Sequence, residues 1–269
     1  MLKQRIITAL ILVPIVLGAI FYLPNHWFAL ALAFPVLLGA LEWANIMGLD
    51  EGKPRLPFIL ATGVLMSVVY WLSLKFIVPL VIVWWVIAFV FVKAYPNKVE
   101  MWTSPVAMFV IGLCLLVPAW LALIMLQGQV NGPYWVMYVM FLVWGADTGA
   151  YFVGRQFGKA KLAPNVSPGK SIAGLVGGLG TTFIIAVGVI MTTSAANEVG
   201  VLAFLVVSMI AVFASVLVDL VESMFKRHRG IKDSSQLLPG HGGILDRIDS
   251  VTAAAPVFVG LMYLLGGVH

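Results

Sequence analysis

The sequence predicts an all-α polytopic membrane bundle of about nine transmembrane helices with a cytoplasmic N-terminus. Three observations predict it. Of the 269 residues, 62% are hydrophobic and only 10% charged, with a mean hydropathy of +1.05; a soluble globular domain is about half apolar and about a quarter charged. Apolar runs of the length a bilayer needs, about 20 residues each, recur along the whole chain and leave no room for a soluble domain between them. Lys and Arg are sorted between alternate connections, as the positive-inside rule requires.

The runs lie at 6–23, 27–49, 56–74, 76–92, 104–126, 134–154, 171–193, 199–225 and 251–268. Each reads as a helix, because an open strand would leave backbone groups unpaired in lipid. The first follows Lys3 and Arg5 as a signal peptide would, but it lacks a small-residue cleavage site and further spans follow, so it reads as a retained span. Pro14, Pro35, Pro79 and Pro118 read as kinks that neighbouring helices accommodate. The lone Cys114 has no disulfide partner and reads as a packing residue. Gly174 and Gly178 form a GxxxG, a signal for close helix packing. With alternating sides, the N-terminus and the connections near 50–55, 93–103, 155–170 and 226–250 hold all but Lys75 of the 16 Lys and Arg residues. That split makes the N-terminus cytoplasmic and puts the C-terminus opposite. The chain divides into N-terminal spans, 1–130, and a C-terminal region, 131–269, that carries the charged motifs in its loops 155–170 and 226–250.

Direction gives depth. Glu42, Asp147, Asp219 and Glu222 all fall late in spans that run inward, so four costly intramembrane acids should share the cytoplasmic half. They predict one polar chamber open to the cytoplasm.

Charge crowds into Ser223 to Ser250, SMFKRHRGIKDSSQLLPGHGGILDRIDS, between runs almost free of it. Asp219 and Glu222 share a helix face, with Ser223 one turn beyond Asp219; Asp246 and Asp249 repeat the spacing just before the ninth span. Read plainly, the first pair is interfacial acid meeting Lys226 and Arg227, and the second is helix N-terminal charge favoured by the macrodipole. Two acid pairs converging on one chamber instead suggest a metal site, and hard oxygen ligands suit Mg²⁺, which takes one or two carboxylates plus substrate phosphates. Lys226, Arg227 and Lys232 read as phosphate contacts or as topology anchors, and Arg229 as an anchor. His241 is either a polar loop residue or part of a nucleotide site. Ser167-Pro168-Gly169-Lys170-Ser171 imitates a P-loop, but that motif needs glycine where Pro164 stands and a parallel sheet that an all-helical bundle lacks. What remains is Lys170 at a helix N-terminus, a setting that favours anions.

Ser223, Lys226-Arg227, Lys232-Asp233, Pro239, His241-Gly242-Gly243, Asp246-Arg247 and Asp249 together resemble the signature of the phosphatidate cytidylyltransferases (CDP-diacylglycerol synthases). Asp147-Thr148-Gly149-Ala150-Tyr151, Gly154 and the Ser-Pro-x-Lys run at 167–170 extend the resemblance over about 140–255. Ser171 stands there for a threonine, while Ile172 and Ala173 replace the family's aromatic and polar residues. The N-terminal half matches only in being a bundle of spans. The resemblance implies a bacterial inner-membrane enzyme that converts CTP and phosphatidate into CDP-diacylglycerol and pyrophosphate, with its active site facing the cytoplasm. Asp219, Asp246, Asp249, Lys226 and Arg227 would then be catalytic, and Mg²⁺ would sit on the three aspartates, with Asp147 and Glu222 as further candidates. Lys170, Ser171, Ser223, Lys232, Asp233, His241, Gly242, Gly243 and Arg247 would bind the nucleotide and phosphates. It also implies a homodimer and a second cation such as K⁺; nucleic acid is not an expected partner. Two other classes compete less well. A CDP-alcohol phosphotransferase needs an Asp-Gly-x-x-Ala-Arg run that is absent, and an ion-coupled transporter would show related halves and a midplane site.

Overall fold

The computed structural model of the chain describes residues 2–49, 54–238, 240 and 242–268. Among them run nine α-helices: α1 (Leu2–Tyr22), α2 (Asn25–Ile46), α3 (Leu56–Trp71), α4 (Ile77–Ala94), α5 (Pro105–Gln127), α6 (Gly132–Phe157), α7 (Ile172–Thr192), α8 (Val201–Arg229) and α9 (Leu245–Leu264). Every expected run forms a helix. Seven are long and apolar enough to cross a membrane; α3 has 16 residues and the apolar part of α1 is Leu10–Tyr22. At a rise of about 1.5 Å per residue, α3 covers about 24 Å, less than a full hydrocarbon core of about 30 Å.

Two boundaries depart from expectation. The ninth helix begins at Leu245, not at 251, so Asp246 and Asp249 lie on its first turns rather than ahead of it. Their charge lowers the local hydropathy and hides the helix start, although a carboxylate in a first turn is favourable. The connection 155–170 is not an open loop. Strands β1 (Lys161–Ala163) and β2 (Ser167–Ser171) pair antiparallel in it, a hairpin that can form because it lies past the end of α6. Lys170 therefore sits in β2, one residue before Ser171, which caps α7 by accepting from the Gly174 amide at 3.0 Å.

Pro14, Pro35 and Pro118 lie inside α1, α2 and α5. Pro79 falls in the first turn of α4, where no intrahelical donor is lost.

The helices meet through small residues, as expected where lipid removes much of the hydrophobic drive between helices. Gly174 and Gly178 rest on the backbone of α6 at Ala150 and Ala146, and a Cβ on Gly149 would run into Thr181 and the Gly177 carbonyl. The glycines at 149 and 154 and those of the GxxxG are thus two halves of one α6–α7 contact. At the other side of the bundle, α9 is buried between α4, α5 and α8. Trp43 and Trp102 both meet Phe225 edge-on, at 5.0 and 4.6 Å between ring centres, and Trp43 donates to the Met108 carbonyl at 2.9 Å. Such ring pairs contribute about 1 kcal/mol each beyond their burial. They fix the last turns of α8 against α2 and α5.

Candidate active site

Two polar groupings lie where the ends of α2, α6 and α8 meet the starts of α7 and α9. The first is a cavity of about 390 Å³ between α6, α7, α8 and the hairpin, lined by Asp147, Tyr151, Arg155, Lys170, Ser171 and Asp219 among others. Lys170 forms an ion pair with Asp219 there, and its ammonium also donates to the Val216 carbonyl at 3.3 Å. Its place in β2 carries that ammonium away from the α7 amides and across to α8, so it does not bind an anion together with a helix N-terminus. The Gly174 amide has a partner in the Ser171 hydroxyl and the Ile172 amide one in the Ala160 carbonyl, which makes Ser171 first of all a cap. Asp147 is within electrostatic range of both Lys170 and Asp219. Arg155 donates to the Tyr151 hydroxyl at 3.3 Å on the rim. Leu162, Leu175 and Val216 also line an apolar cleft of about 280 Å³ that adjoins the cavity and is closed by Phe89, Val92 and Phe213.

The second grouping is buried and centred on Lys226. Its ammonium lies 2.9 Å from Glu222 and 2.7 Å from Asp246. Asp246 in turn accepts from the Ser234 amide and hydroxyl, each at 3.0 Å, and from the Gly243 amide at 2.8 Å. Glu42 reaches the same spot from α2. One of its oxygens accepts from the Ser235 hydroxyl (2.5 Å) and the Ile244 amide (2.9 Å); the other accepts from the Leu245 amide (2.7 Å) and shares the single Ser234 hydroxyl proton (2.9 Å) with Asp246. Ile244 has no side chain able to cap α9, so a carboxylate from a distant helix caps it instead. The turn permits this approach only because it is made of glycine. Gly242 has φ +84°, a region that side chains disfavour, and a Cβ on Gly243 would collide with Ser234 and Glu42.

Asp249 connects the two groupings, within electrostatic range of Asp219, Lys170, Lys226 and Glu222. One of its oxygens accepts from the Ser250 amide at 2.7 Å. The four acids expected in one chamber thus divide: Asp147 and Asp219 face the open cavity, while Glu42 and Glu222 are enclosed in the Lys226 grouping. Arg227, Lys232 and Asp233 are exposed, outside the ion pairs that Lys170 and Lys226 make. Ser223 is half-buried, Arg247 is exposed, and Arg229 donates to the Asn45 carbonyl. His241 and Pro239 lie outside the described residues.

As for a metal, no group of three or more His, Cys, Asp or Glu among the described residues is gathered to ligate one ion. Asp246 fits such a role poorly, because both its oxygens are already engaged. Asp219, with a side chain 39% exposed on the cavity, and Asp249 beside it fit a site completed by phosphate oxygens, the arrangement Mg²⁺ commonly takes.

Reading from the sequence missed Ser234 and Ser235, which stand inside the quoted stretch, and the roles of Tyr151 and Arg155. A lone carboxylate in α2 does signal a partner. It does not say that the partner is some two hundred residues away.

Comparison with known proteins gives a consistent picture. A sequence profile described as the Cytidylyltransferase family matches residues 3–265. A phosphatidate cytidylyltransferase of Pseudomonas aeruginosa is 47% identical over 268 residues, covering 99% of this chain and 98% of the relative. One from Haemophilus influenzae is 39% identical, covering 96% and 97%. One from Staphylococcus aureus is 44% identical over 127 residues, 47% of this chain and 48% of the relative. Similarity is therefore not confined to 140–255, and the N-terminal spans share it.

Proposed function

The chain belongs to the Cytidylyltransferase family, and on that premise we propose that it transfers CMP from CTP to phosphatidate, giving CDP-diacylglycerol and pyrophosphate. The observation that carries this reading is identity of 47% and 39% to phosphatidate cytidylyltransferases across nearly the whole length of both partners. The paired cavities support it. An open polar chamber next to an apolar cleft at one end of a membrane bundle suits a reaction between a water-soluble nucleotide and a lipid.

In this reaction an oxygen of the lipid phosphate attacks the α-phosphorus of CTP. The bond to the β-phosphate breaks, and the electron pair leaves with pyrophosphate. Catalysis of such a step is mostly positioning and charge stabilisation. Lys170, already within the cavity and held on Asp219, is placed to exchange that carboxylate for a phosphate. Arg227 and Lys232, exposed at the end of α8 and in the loop after it, are placed to meet the triphosphate from the water side, with Arg247 beside them on α9. Lys226, sandwiched between Glu222 and Asp246, supports the site more than it binds substrate.

Asp219 and Asp249 would hold Mg²⁺ together with substrate phosphates, with Asp147 within reach of the same cavity. When bound, the ion would neutralise charge that passes to the leaving pyrophosphate. A second cation such as K⁺, a homodimeric assembly, and placement in a bacterial inner membrane with the N-terminus and the cavity on the cytoplasmic side complete the proposal. The Lys and Arg distribution along the chain supports that orientation.

The test uses purified protein in detergent with labelled CTP. Label should become lipid-extractable only when phosphatidate and Mg²⁺ are both present. No lipid product under those conditions, or equal product without phosphatidate, would overturn the reading.

A further inference from the structure

We propose that Glu42 of α2 is a positioning residue of the reaction, holding the loop 230–244 and the first turn of α9 in the geometry that presents the loop's polar side chains to CTP. The inference rests on the function proposed above.

Glu42 is 2% exposed, in a part of the chain that carries no recognisable chemistry of its own. A buried carboxylate persists only when its lone pairs are engaged, and one segment engages Glu42 with two backbone amides, the Ser235 hydroxyl and the Ser234 hydroxyl, whose proton it shares with Asp246. Three residues later in α2, the Asn45 side-chain amide donates to the Ser234 carbonyl at 3.1 Å. The cytoplasmic end of α2 thus holds both sides of the loop. Among the loop's described residues a bridge pairs Leu238 with Gly242, and Gly230, Gly240 and Gly242 take positive φ. Lys232 and Asp233 immediately precede the clamped serines.

The arrangement of donors makes the clamp specific to a carboxylate. Each oxygen of Glu42 serves one hydroxyl and one backbone N–H. A glutamine, whichever way its amide is turned, must set its NH₂ against a backbone N–H that cannot reverse its role. A hydroxyl could turn around; an amide cannot. Because the clamp ends at the loop that carries the exposed Lys232 and does not reach the apolar cleft, its loss should be felt by the nucleotide and not by the lipid.

The experiment compares Ser235→Ala and Glu42→Gln with the wild-type chain in detergent, with rates referred to folded protein. Ser235→Ala removes the bond to Glu42 and the one accepted from the Leu237 amide, and leaves the α9 cap intact. It should raise the KM for CTP at least about tenfold, the worth of one hydrogen bond to a charged group, with the KM for phosphatidate within about twofold of wild type. Glu42→Gln should raise the CTP KM further, and the double variant should be scarcely worse than Glu42→Gln alone, since both act through one clamp. A wild-type CTP KM in Ser235→Ala overturns the proposal whether or not Glu42→Gln folds. An equal rise in both KM values, the mark of general loosening, overturns it too. Failure of the wild-type chain to form a lipid product would instead overturn the reaction itself.

Discussion

The cavity around Lys170 and Asp219 and the grouping around Lys226 use the same residue types within one end of the bundle, yet they differ in how far their charges are satisfied. In the cavity, Lys170 and Asp219 are 23% and 39% exposed and, among the described residues, the carboxylate pairs with that ammonium. In the grouping, Lys226, Glu222 and Asp246 are 14%, 4% and 7% exposed, and Asp246 accepts from the ammonium, two backbone amides and the Ser234 hydroxyl that it shares with Glu42. A carboxylate enclosed by donors has little left to offer a substrate, whereas one on an open wall can change partners. On the function proposed above, chemistry would fall to the first region and architecture to the second.

The sharpest way to break that division is Asp219→Asn. Losing the charge on the open wall should cost several kcal/mol of transition-state stabilisation, hundreds-fold or more in kcat, while the protein still inserts and melts near the wild-type temperature. Initial rates on folded protein check it; retention of more than about a tenth of kcat, a loss of only about 1.4 kcal/mol, would erase the distinction.

Asp246→Asn should behave differently. It keeps the side chain's size but leaves Lys226 with a single carboxylate in a buried setting, at a cost of about 3 kcal/mol in stability. Thermal unfolding in detergent should show an earlier transition and a lower yield, with the surviving folded fraction within about tenfold of wild-type kcat. Activity as poor as that of Asp219→Asn, with unchanged melting, would move Asp246 to the chemical side.

The smallest of these effects is expected for Lys170→Ala, which removes one charge-assisted contact from the cavity and should lower kcat/KM by about tenfold. Unchanged kinetics would leave Lys170 as a partner of Asp219 and an anchor of the hairpin.

Much of this protein was determined by sequence alone. Nine apolar runs became nine helices because backbone groups in lipid have to be satisfied within their own segment, so helix placement is a local matter. Gly174 and Gly178 announced close packing of α7 because only small residues allow backbones so close, while the part of Gly149 and Gly154 in it is seen only in the packed helices. The crowding of charge at 223–250 marked the end of the bundle where the polar groupings form, since charge in an otherwise apolar chain is too costly to be incidental. Tertiary structure alone decided which charge meets which. Pairing depends on the direction and depth of side chains from elements far apart in sequence: Lys170 turns to Asp219 across 49 positions, and Glu42 caps a helix that starts at Leu245. It also decided the start of α9, where Asp246 and Asp249 lower the apolar signal while stabilising the turn they stand on. No spacing rule reports that one aspartate is enclosed by donors while another faces an open cavity, because exposure belongs to the packed assembly and not to the segment.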